Sequence, residues 1–433
     1  MPKAKTVNFA LLGLGKLGFG FFQIFREKQD KIFKETGFRL HLSKILVKNK
    51  HFKRPHLVEP GLITTELNDI LNDPSIHVAI DAIGGIEPTF SIIKKLIASG
   101  KHIISANRTL LASKMQELAD LSNKEGVHIL PEPSLGGGLP IISSLKQDLV
   151  ANEIKSLYAV VSGTSNFILS EMTKYHIPLK EVLRSKEMQK MSETLSVIDY
   201  EGSDAAQKAA IFASAAFGLK LNYLSLFSEG IADISVFDID CAHEFGYEIK
   251  QLAIIKDHGD RVEIHIHPTL IPKEHPLTSI RGEYNAFFVQ TDLLGNYLTY
   301  GRGLGVEPTS SLILRDLVLV GELIRKSAAR KFSYRISWNE KPLMPMEEII
   351  SDYYIRFPCE DKPGVVGKIT TIIGNQGINL SSAHAEVNKK KYPDIGFVHI
   401  LIDQAREYQV MQSIHEIEEL HLLRGPVKLL RIL

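Results

Sequence analysis

The chain has 433 residues, which predicts about three domains at roughly 150 residues per domain. Hydrophobic residues make up 44% of it and charged residues 23%, a composition that excludes disordered, collagenous and low-complexity chains. The 51 Lys and Arg residues are balanced by 50 Asp and Glu residues, so the formal charge of +1 gives no general attraction to nucleic acid or to an anionic membrane.

The two cysteines, Cys241 and Cys359, are too few for a disulfide framework or a cysteine-rich metal site. They indicate a reducing environment, and we expect a cytoplasmic protein. The most apolar stretch, residues 209–219, is much shorter than the roughly 20 residues that a membrane-spanning helix needs. The first residues lead directly into a predicted strand, without the apolar segment of a secretory signal.

Strands and helices alternate over the first 150 residues. Short apolar strands are predicted at 7–12, 40–47, 78–83, 102–105 and 127–130, with helical periods between them. Strands joined by helices imply right-handed crossovers, so residues 1–150 are predicted to form a Rossmann-type, doubly wound parallel sheet. A late helix at 308–326 is predicted to return to this domain, which residues 308–330 would complete.

The pattern changes after residue 150. A strand at 157–161 is followed by helices predicted at 204–219 and 238–255 and by strands at 262–267 and 286–291. Residues 151–307 are therefore predicted to form an inserted α+β domain. After a polar linker at 338–342, a third unit at 350–433 begins with a strand at 354–357, a helix at 365–375 and a second strand after Gly377.

A glycine-rich turn follows the first predicted strand and opens the first helix. It consists of Gly13, Leu14, Gly15, Lys16, Leu17 and Gly18. In a dinucleotide-binding turn Gly13 would permit the tight bend, Gly15 the approach of a pyrophosphate, and Gly18 close packing of the helix on the sheet. The phosphates would lie at the helix N-terminus. The alternative is a tight turn that binds nothing.

Basic residues follow the second predicted strand. An NAD site usually has Asp or Glu there, to bind the ribose 2′-hydroxyl. Here the chain carries Lys48, Lys50, Lys53 and Arg54, which suit the 2′-phosphate of NADP. The sequence favours NADP and leaves NAD possible, because a solvated basic loop would have the same composition.

Further motifs occur in order along the chain, and their order is more specific than any one of them. They are AIGGIEP at 82–88, GKH at 100–102, SAN at 105–107, EPSLGGGLP at 132–140, SGTSN at 162–166, DYEGSDAAQK at 199–208, HPTL at 267–270 and GRGLG at 301–305. With these motifs the chain resembles homoserine dehydrogenase, in its long form with a C-terminal ACT domain. The resemblance implies NAD(P)H-dependent, reversible reduction of aspartate 4-semialdehyde to homoserine in threonine and methionine biosynthesis, with residues 151–307 serving in catalysis and dimerisation.

The resemblance places Lys208 at the family's acid/base lysine. Reduction of an aldehyde needs a proton for the oxygen that becomes the hydroxyl. Lys208 lies four residues after Asp204 on one helix face, and apolar residues follow it, so we expect a lowered pKa. Asp204 is also predicted to cap this helix, with Gln207 completing a capping box. The alternative is a solvent-exposed Asp–Lys pair.

The resemblance also assigns the substrate site. Glu193 would hold the substrate's amino group, and Asp199 and Asp204 match substrate-site aspartates. The chain departs from the family just after Glu193, where Leu195 and Ser196 stand in place of an Asp-Pro-like pair.

Three more residues are assigned to the cofactor site by the resemblance: Ser105, Arg108 and Gly305. Arg108 stands where the family has a lysine. Arginine keeps the positive charge that holds an anion, but it does not release a proton.

The resemblance implies a monovalent-cation loop, with Na⁺ as an example. Glu132 and the backbone carbonyls of Leu135, Gly137 and Leu139 match it, and oxygen ligands suit a hard ion. A plain glycine-rich hinge is the alternative. Glu263, His265 and His267 share one face of a strand and could suggest a zinc site. A solvated polar face of the strand is the preferred interpretation.

The last unit resembles an ACT domain. The turn before its first helix offers backbone amides to a carboxylate, and Asp361, Gly364 and Asn379 would hold an amino acid, with threonine the first effector to consider. ACT domains usually act in pairs, so a homodimer or homotetramer is expected. The unit could instead be a dimerisation module without a ligand.

Two alternatives to a working homoserine dehydrogenase remain open from the sequence. One is an amino-acid-binding regulatory homologue with weak or no dehydrogenase activity. The other is a dehydrogenase of a different small amino-acid semialdehyde.

Overall fold

The computed structural model describes residues 6–49, 58–188, 200–325, 336–387 and 395–433. The N-terminal part contains strands β1 (Thr6–Leu12), β2 (Arg39–Leu46), β3 (Ile63–Thr64), β4 (Ile76–Asp81), β5 (His102–Ser105) and β6 (Ile129–Leu130), with helices α1 (Lys16–Thr36), α2 (Asn68–Leu71), α3 (Thr89–Ala98) and α4 (Arg108–Glu125). All six strands are parallel, in the order β3-β2-β1-β4-β5-β6. The predicted doubly wound parallel sheet is confirmed.

Both faces of this sheet are covered, so its central strands are almost continuously apolar. In β1, Phe9 and Leu11 pack against α1 on one face, whereas Ala10 and Leu12 pack towards α3 and α4 on the other. This double burial explains why the strand does not alternate between apolar and polar residues. The strand order reverses between β1 and β4, and ligands of such sheets bind beyond the carboxyl ends of the strands at that point.

The rest of the chain builds a second, mixed sheet. Its strands are β7 (Ile154–Val160), β8 (Phe227–Ser228), β9 (Tyr247–Asp257), β10 (Val262–Pro272), β11 (Tyr284–Thr291), β12 (Asn296–Arg302), β13 (Ile350–Glu360), β14 (Leu380–Val387), β15 (Ile395–Arg406) and β16 (Lys428–Ile432). Its helices are α5 (Ile141–Ser143), α6 (Gly163–Tyr175), α7 (Leu179–Arg184), α8 (Ser203–Phe217), α9 (Val236–Glu244), α10 (Val306–Arg325), α11 (Val365–Asn375) and α12 (Glu407–Glu419).

The second sheet continues through the last part of the chain. Its order is β12-β11-β7-β9-β10-β16-β13-β15-β14, and β8 also pairs with β10. Strand β16 is parallel to β10, through Thr269–Arg431 and Leu270–Ile432, and antiparallel to β13. Residues 350–433 form the βαββαβ arrangement of a ferredoxin-like ACT domain, as predicted. Strand β16 therefore joins that domain to the rest of the sheet.

Helix α10 packs back on the N-terminal sheet. Its residues Ile313 and Leu317 are buried with Phe21 and Phe25 of α1 in one core. Gly321 of α10 lies so close to the ring of Phe38 that a Cβ there would have no room. The helix returns the chain from the second sheet to the first domain, where Thr309 and Leu17 of the glycine-rich turn line one cavity.

The predicted helix at 238–255 is wrong. Helix α9 ends at Glu244, Gly246 follows with φ +88°, and β9 begins at Tyr247. Most of β9 is buried on both faces, so its apolar run lacks strand periodicity and resembles a buried helix. Two short strands, β3 and β8, and the edge strand β12 also lacked a clear pattern.

The predicted solvated face of β10 is also wrong. Glu263, His265 and His267 share one face as expected, but all three are buried and bonded in a chain. Glu263 Oε1 lies 2.8 Å from His265 Nε2, and His265 Nδ1 lies 2.7 Å from His267 Nε2. Burial lowers the pKa of both imidazoles, so the rings are neutral partners. Across the described ranges no cluster of His, Cys, Asp and Glu is arranged to hold a metal ion.

None of the helices in the described part of the chain is both long and apolar enough to cross a membrane.

Candidate active site

The glycine-rich turn has the geometry that its glycines were expected to serve. Gly13 has φ +94°, and a Cβ there would lie 2.6 Å from the carbonyl oxygen of Ala82. A Cβ on Gly18 would collide with the carbonyl oxygen of Gly13. Gly15 has open space around its α-carbon and stands at the N-cap of α1, where no side chain caps the helix. Of these three glycines, Gly15 alone therefore leaves room for a ligand next to its α-carbon.

A cavity of about 880 Å³ opens beside this turn, at the carboxyl ends of β1, β2 and β4. Gly13, Leu14 and Gly15 line it, together with Lys48 at the end of β2. No carboxylate lines this cavity among the described residues. Lys50, Lys53 and Arg54 lie outside the described residues. The cavity has the size and position for the adenosine half of a dinucleotide.

A second cavity, of about 330 Å³, continues from the first past Ala82 and Ile83. It is lined by Leu17, Gly84, Gly85, Asn107, Arg108, Ser134, Gly136 and Thr309, among others. Asn107 shapes it: the Asn107 amide donates to the carbonyl of Gly85 at 2.7 Å, while its side-chain oxygen caps α4. Arg108 is thereby fixed as the first residue of α4 and faces the cavity.

Arg108 and Lys208 flank the same buried carboxylate. Asp204 is 3% exposed and Lys208 is 2% exposed, and Lys208 Nζ lies 2.8 Å from Asp204 Oδ2. Arg108 forms a close ion pair with the other oxygen of Asp204. Burial disfavours the charged Asp204, but the two cations outweigh it and lower the pKa of Asp204. The carboxylate is therefore ionised, and the solvent-exposed pair considered from the sequence is wrong.

The neighbours of Lys208 Nζ include Asp204, the carbonyl group of Val161 and Gly136. Besides Asp204, its Nζ donates to the carbonyl of Val161 at 2.9 Å, at the end of β7. Gly136 of the 132–139 loop is close enough that a Cβ there would lie 3.1 Å from Nζ. The ammonium group therefore neighbours Gly136, which lines the second cavity, and shares Asp204 with Arg108, which also lines it.

The predicted capping box at α8 is wrong. The N-cap is Gly202, with φ +96° and no capping side chain, and Asp204 lies inside the helix. The Asp204 carboxylate is paired with Arg108 and Lys208 instead of capping the helix. Of the other predicted substrate residues, Glu193 and Asp199 lie outside the described residues.

Three predicted cofactor residues are not among those that line the two cavities. Ser105 is buried, and its hydroxyl donates to Asp81 at 2.9 Å. Lys16 is exposed at the start of α1, and Gly305 precedes α10 with φ +119°.

Asp81 is a functional candidate that the sequence analysis missed. It ends β4, is fully buried, and also accepts from the amide of Ile83 at 3.2 Å. Burial raises its pKa to about 6. A carboxylate at the end of an otherwise apolar strand was the available signal.

The 132–139 loop is anchored by its glutamate. Both Glu132 oxygens accept hydrogen bonds, from the amide of Ile142 at 2.7 Å and from the hydroxyl of Ser143 at 2.5 Å. Arg315 of α10, which the sequence did not single out, lies 2.9 Å from the same carboxylate. Burial raises the pKa of Glu132 against the effect of Arg315. Leu135 and Leu139 are buried in the core, and Gly137 approaches Arg302 and Gly303 without room for a Cβ.

The predicted effector residues lie on the surface of the ACT domain. Gly364 is the N-cap of α11, with φ +85° and no capping side chain. Asp361 is exposed beside it, in the turn before α11, and Asn379 is exposed in the turn before β14. The registers of β13 and β14 on β15 place Leu380 level with Tyr353, whereas Glu360 is level with Ile395, so Asn379 lies at the opposite end of the domain from Asp361 and Gly364.

A Rossmann sheet, a glycine-rich turn with space for a pyrophosphate and a buried Lys–Asp pair beside the second cavity define an NAD(P)-dependent oxidoreductase. Family models agree along the chain: homoserine dehydrogenase, NAD binding domain, matches residues 13–132, homoserine dehydrogenase matches 140–318, and the ACT domain matches 353–419. The chain belongs to the homoserine dehydrogenase family.

Individual relatives match over nearly the full length. The homoserine dehydrogenase of Synechocystis sp. is 33% identical over 442 residues, covering 99% of this chain and 100% of the relative. That of Pseudomonas aeruginosa is 32% identical, covering 99% of both chains. A crystal structure of a homoserine dehydrogenase from Thiobacillus denitrificans has a TM-score of 0.90 and 32% identity, covering 99% of both chains.

Proposed function

We propose that the chain catalyses the reversible reduction of L-aspartate 4-semialdehyde to L-homoserine, with Lys208 as the proton donor and acceptor. The observation that carries this proposal is the buried Lys208–Asp204 pair, at 2.8 Å, beside the second cavity. A buried ammonium group held in a fixed position is the kind of acid that carbonyl reduction requires.

The contacts of Lys208, Asp204 and Arg108 suggest a separate role for each residue. NADPH, when bound, supplies the hydride that reduces the aldehyde carbon. Lys208 donates a proton to the carbonyl oxygen and, in the reverse direction, accepts it from the hydroxyl. Asp204 holds the Lys208 ammonium in place, and the carbonyl of Val161 fixes its direction. Arg108 stays charged throughout and balances Asp204 when Lys208 has given up its proton.

Glu193 is proposed to hold the substrate's ammonium group, and Asp199 and Asp204 are proposed as further substrate-binding residues. The domain division that supports this site is 1–150 with 308–330 for the cofactor, 151–307 for substrate and catalysis, and 350–433 for regulation.

NADP is the proposed cofactor, with Lys48 facing the 2′-phosphate. Its support is the position of Lys48 on the wall of the larger cavity and the lack of a carboxylate in the described part of that wall. Comparison of kcat/KM for NADPH and NADH tests this choice. Equal or better use of NADH would contradict it.

A monovalent cation such as Na⁺ is proposed at the 132–139 loop. The Glu132 carboxylate is already occupied by Ile142, Ser143 and Arg315, so backbone carbonyls of Leu135, Gly137 and Leu139 are the ligands that fit. When it is bound, the ion would make the 132–139 loop, which contacts Lys208, more rigid. A higher melting temperature in Na⁺ than in tetramethylammonium at equal ionic strength would support it.

The ACT domain is proposed to bind an amino acid, threonine first, and to assemble the chain as a homodimer or homotetramer. Support comes from the uncapped N-terminus of α11 with Asp361 beside it, while Asn379 lies at the other end of the same domain. Isothermal titration of the full chain with threonine tests the ligand, and sedimentation tests the assembly. Absence of heat with threonine and other common amino acids would favour a dimerisation module.

The decisive experiment is NADPH oxidation by the purified chain with aspartate 4-semialdehyde. A folded preparation should consume NADPH well above the rate without enzyme. If it does not, the amino-acid-binding regulatory homologue is favoured. Activity with another semialdehyde alone would favour a dehydrogenase of a different small amino-acid semialdehyde.

A further inference from the structure

Arg431 of β16 joins two glutamates from different parts of the chain. The Arg431 guanidinium is 3% exposed and donates to Glu407, at the start of α12, at 2.9 Å. Its other edge faces Glu229, with Nη1 3.0 Å and Nη2 3.4 Å from the two carboxylate oxygens. It also lies over the ring of Phe227 in β8, at 4.9 Å from the centroid. Arg431 therefore ties the ACT domain to the short segment 227–231.

That segment is bonded to the residues that lead into the active-site helix. The amide of Ile231 donates to the carbonyl of Tyr200 at 2.8 Å, and the hydroxyl of Ser228 donates to the carbonyl of Gly202 at 3.0 Å. Gly230 is so close that a Cβ there would lie 2.6 Å from the α-carbon of Glu201. A displacement of residues 228–231 would therefore displace residues 200–202, immediately before Asp204.

The side chains around Arg431 include two neutral histidines and two glutamates. His265 and His267 face it from β10, and burial together with the Arg431 charge lowers their pKa values, so they add no competing positive charge. The guanidinium is paired with Glu407 and Glu229. Lys428 also interacts electrostatically with Glu229, and Glu263 and Lys256 lie further along the histidine chain. Glu407 is 5% exposed and Glu229 is 42% exposed, so the Glu229 contact is the one that solvent can reach.

We propose that Glu229, held by Arg431, is a positioning residue for the active site: it fixes residues 200–202 and thereby the placement of Asp204 and Lys208. This inference depends on the proposed roles of Asp204 and Lys208. A misplacement of about 1 Å in a catalytic group can cost on the order of 100-fold in rate. The link makes turnover depend on the docking of β16.

The test replaces Glu229 with Gln, which keeps the shape of the side chain and removes its charge. The matched control is Glu348→Gln, because Glu348, just before β13, forms an exposed ion pair at 2.6 Å with Arg261 in the turn between β9 and β10, away from residues 200–204. Glu229→Gln should lower kcat by about 10- to 100-fold with little change in the Kd for NADPH, whereas Glu348→Gln should stay within about twofold of the parent.

Hydrogen exchange gives a readout that does not need activity. Amides of residues 200–208 and 229–231 should exchange faster in Glu229→Gln than in Glu348→Gln, at equal melting temperature. Equal exchange in the two variants, or equal kcat, would overturn the positioning role. If the parent protein itself lacks activity, the proposed function fails, but the exchange comparison still decides whether Glu229 holds the segment.

Discussion

Lys208 combines an ammonium proton with a fixed position beside Asp204. Replacing it with Ala should lower kcat by about 10²- to 10⁴-fold, the range for loss of a general acid, with NADPH binding unchanged. Lys208→Arg is the matched control, since arginine keeps the charge beside Asp204 but retains its proton. Both variants should be slow in steady-state assays. Turnover near that of the parent in either would remove Lys208 from proton transfer.

Arg108 affects the same carboxylate from the other domain. Changing Arg108 to Met removes one of the two cations that lower the pKa of Asp204, so that pKa should rise. Activity that needs the Asp204 carboxylate would then be lost at a higher pH, and the acid limb of the kcat profile should shift upwards. Arg108→Lys should leave the limb near its original position. An unshifted limb in Arg108→Met would mean that Asp204 does not control the rate.

The residue identities at this site were predictable, but their environment was not. The spacing of Asp204 and Lys208 placed them on one helix face, and the motif pointed to their chemistry. The burial of both groups and the pairing with Arg108 depend on contacts between α4 and α8, which are separated by about a hundred residues in the chain. Local pattern contains no information about such a contact, so the N-cap prediction for Asp204 failed.

In the turn between β1 and α1, we expect Gly15 to matter for cofactor binding and Gly18 for folding. Gly15→Ala should leave the melting temperature nearly unchanged, because nothing lies within 4 Å of the added methyl group, yet it should weaken NADPH binding strongly by occupying the space for the pyrophosphate. Gly18→Ala should instead destabilise the fold, since its Cβ would meet the carbonyl oxygen of Gly13. Thermal melting and cofactor titration of both variants provide the comparison. Normal cofactor affinity in a folded Gly15→Ala protein would contradict this account of the turn.

Elements with a regular pattern were predicted well, and those buried on every side were not. Strand β5 and helix α11 have the predicted bounds, because a glycine or a turn marks their ends. The sequence wrongly predicts the end of a helix where β9 lies, because residues 249–255 are all buried and show no alternation of apolar and polar side chains.

At the scale of the whole molecule the ACT domain is a structural part of the sheet. Leu270 of β10 shares a buried core with Tyr354 and Leu430 of the ACT domain. Deleting residues 350–433 would expose this core and leave part of β10 unpaired, so we expect a lower melting temperature and aggregation. Sedimentation and thermal melting of the truncated chain test this expectation. A soluble, fully active fragment with the parent's melting temperature would show that the second sheet is complete without β16.

The interleaving of β16 between β10 and β13 also has a consequence for biosynthesis. A ribosome makes the cofactor and catalytic parts first, and the strand that seals the β10 edge emerges only after residue 428. Until then the nascent chain presents an open strand edge, which is a template for wrong pairing. Premature stop codons anywhere in the last part of the gene should therefore yield insoluble fragments that chaperones and proteases remove, even though every residue of the proposed catalytic machinery has already been translated.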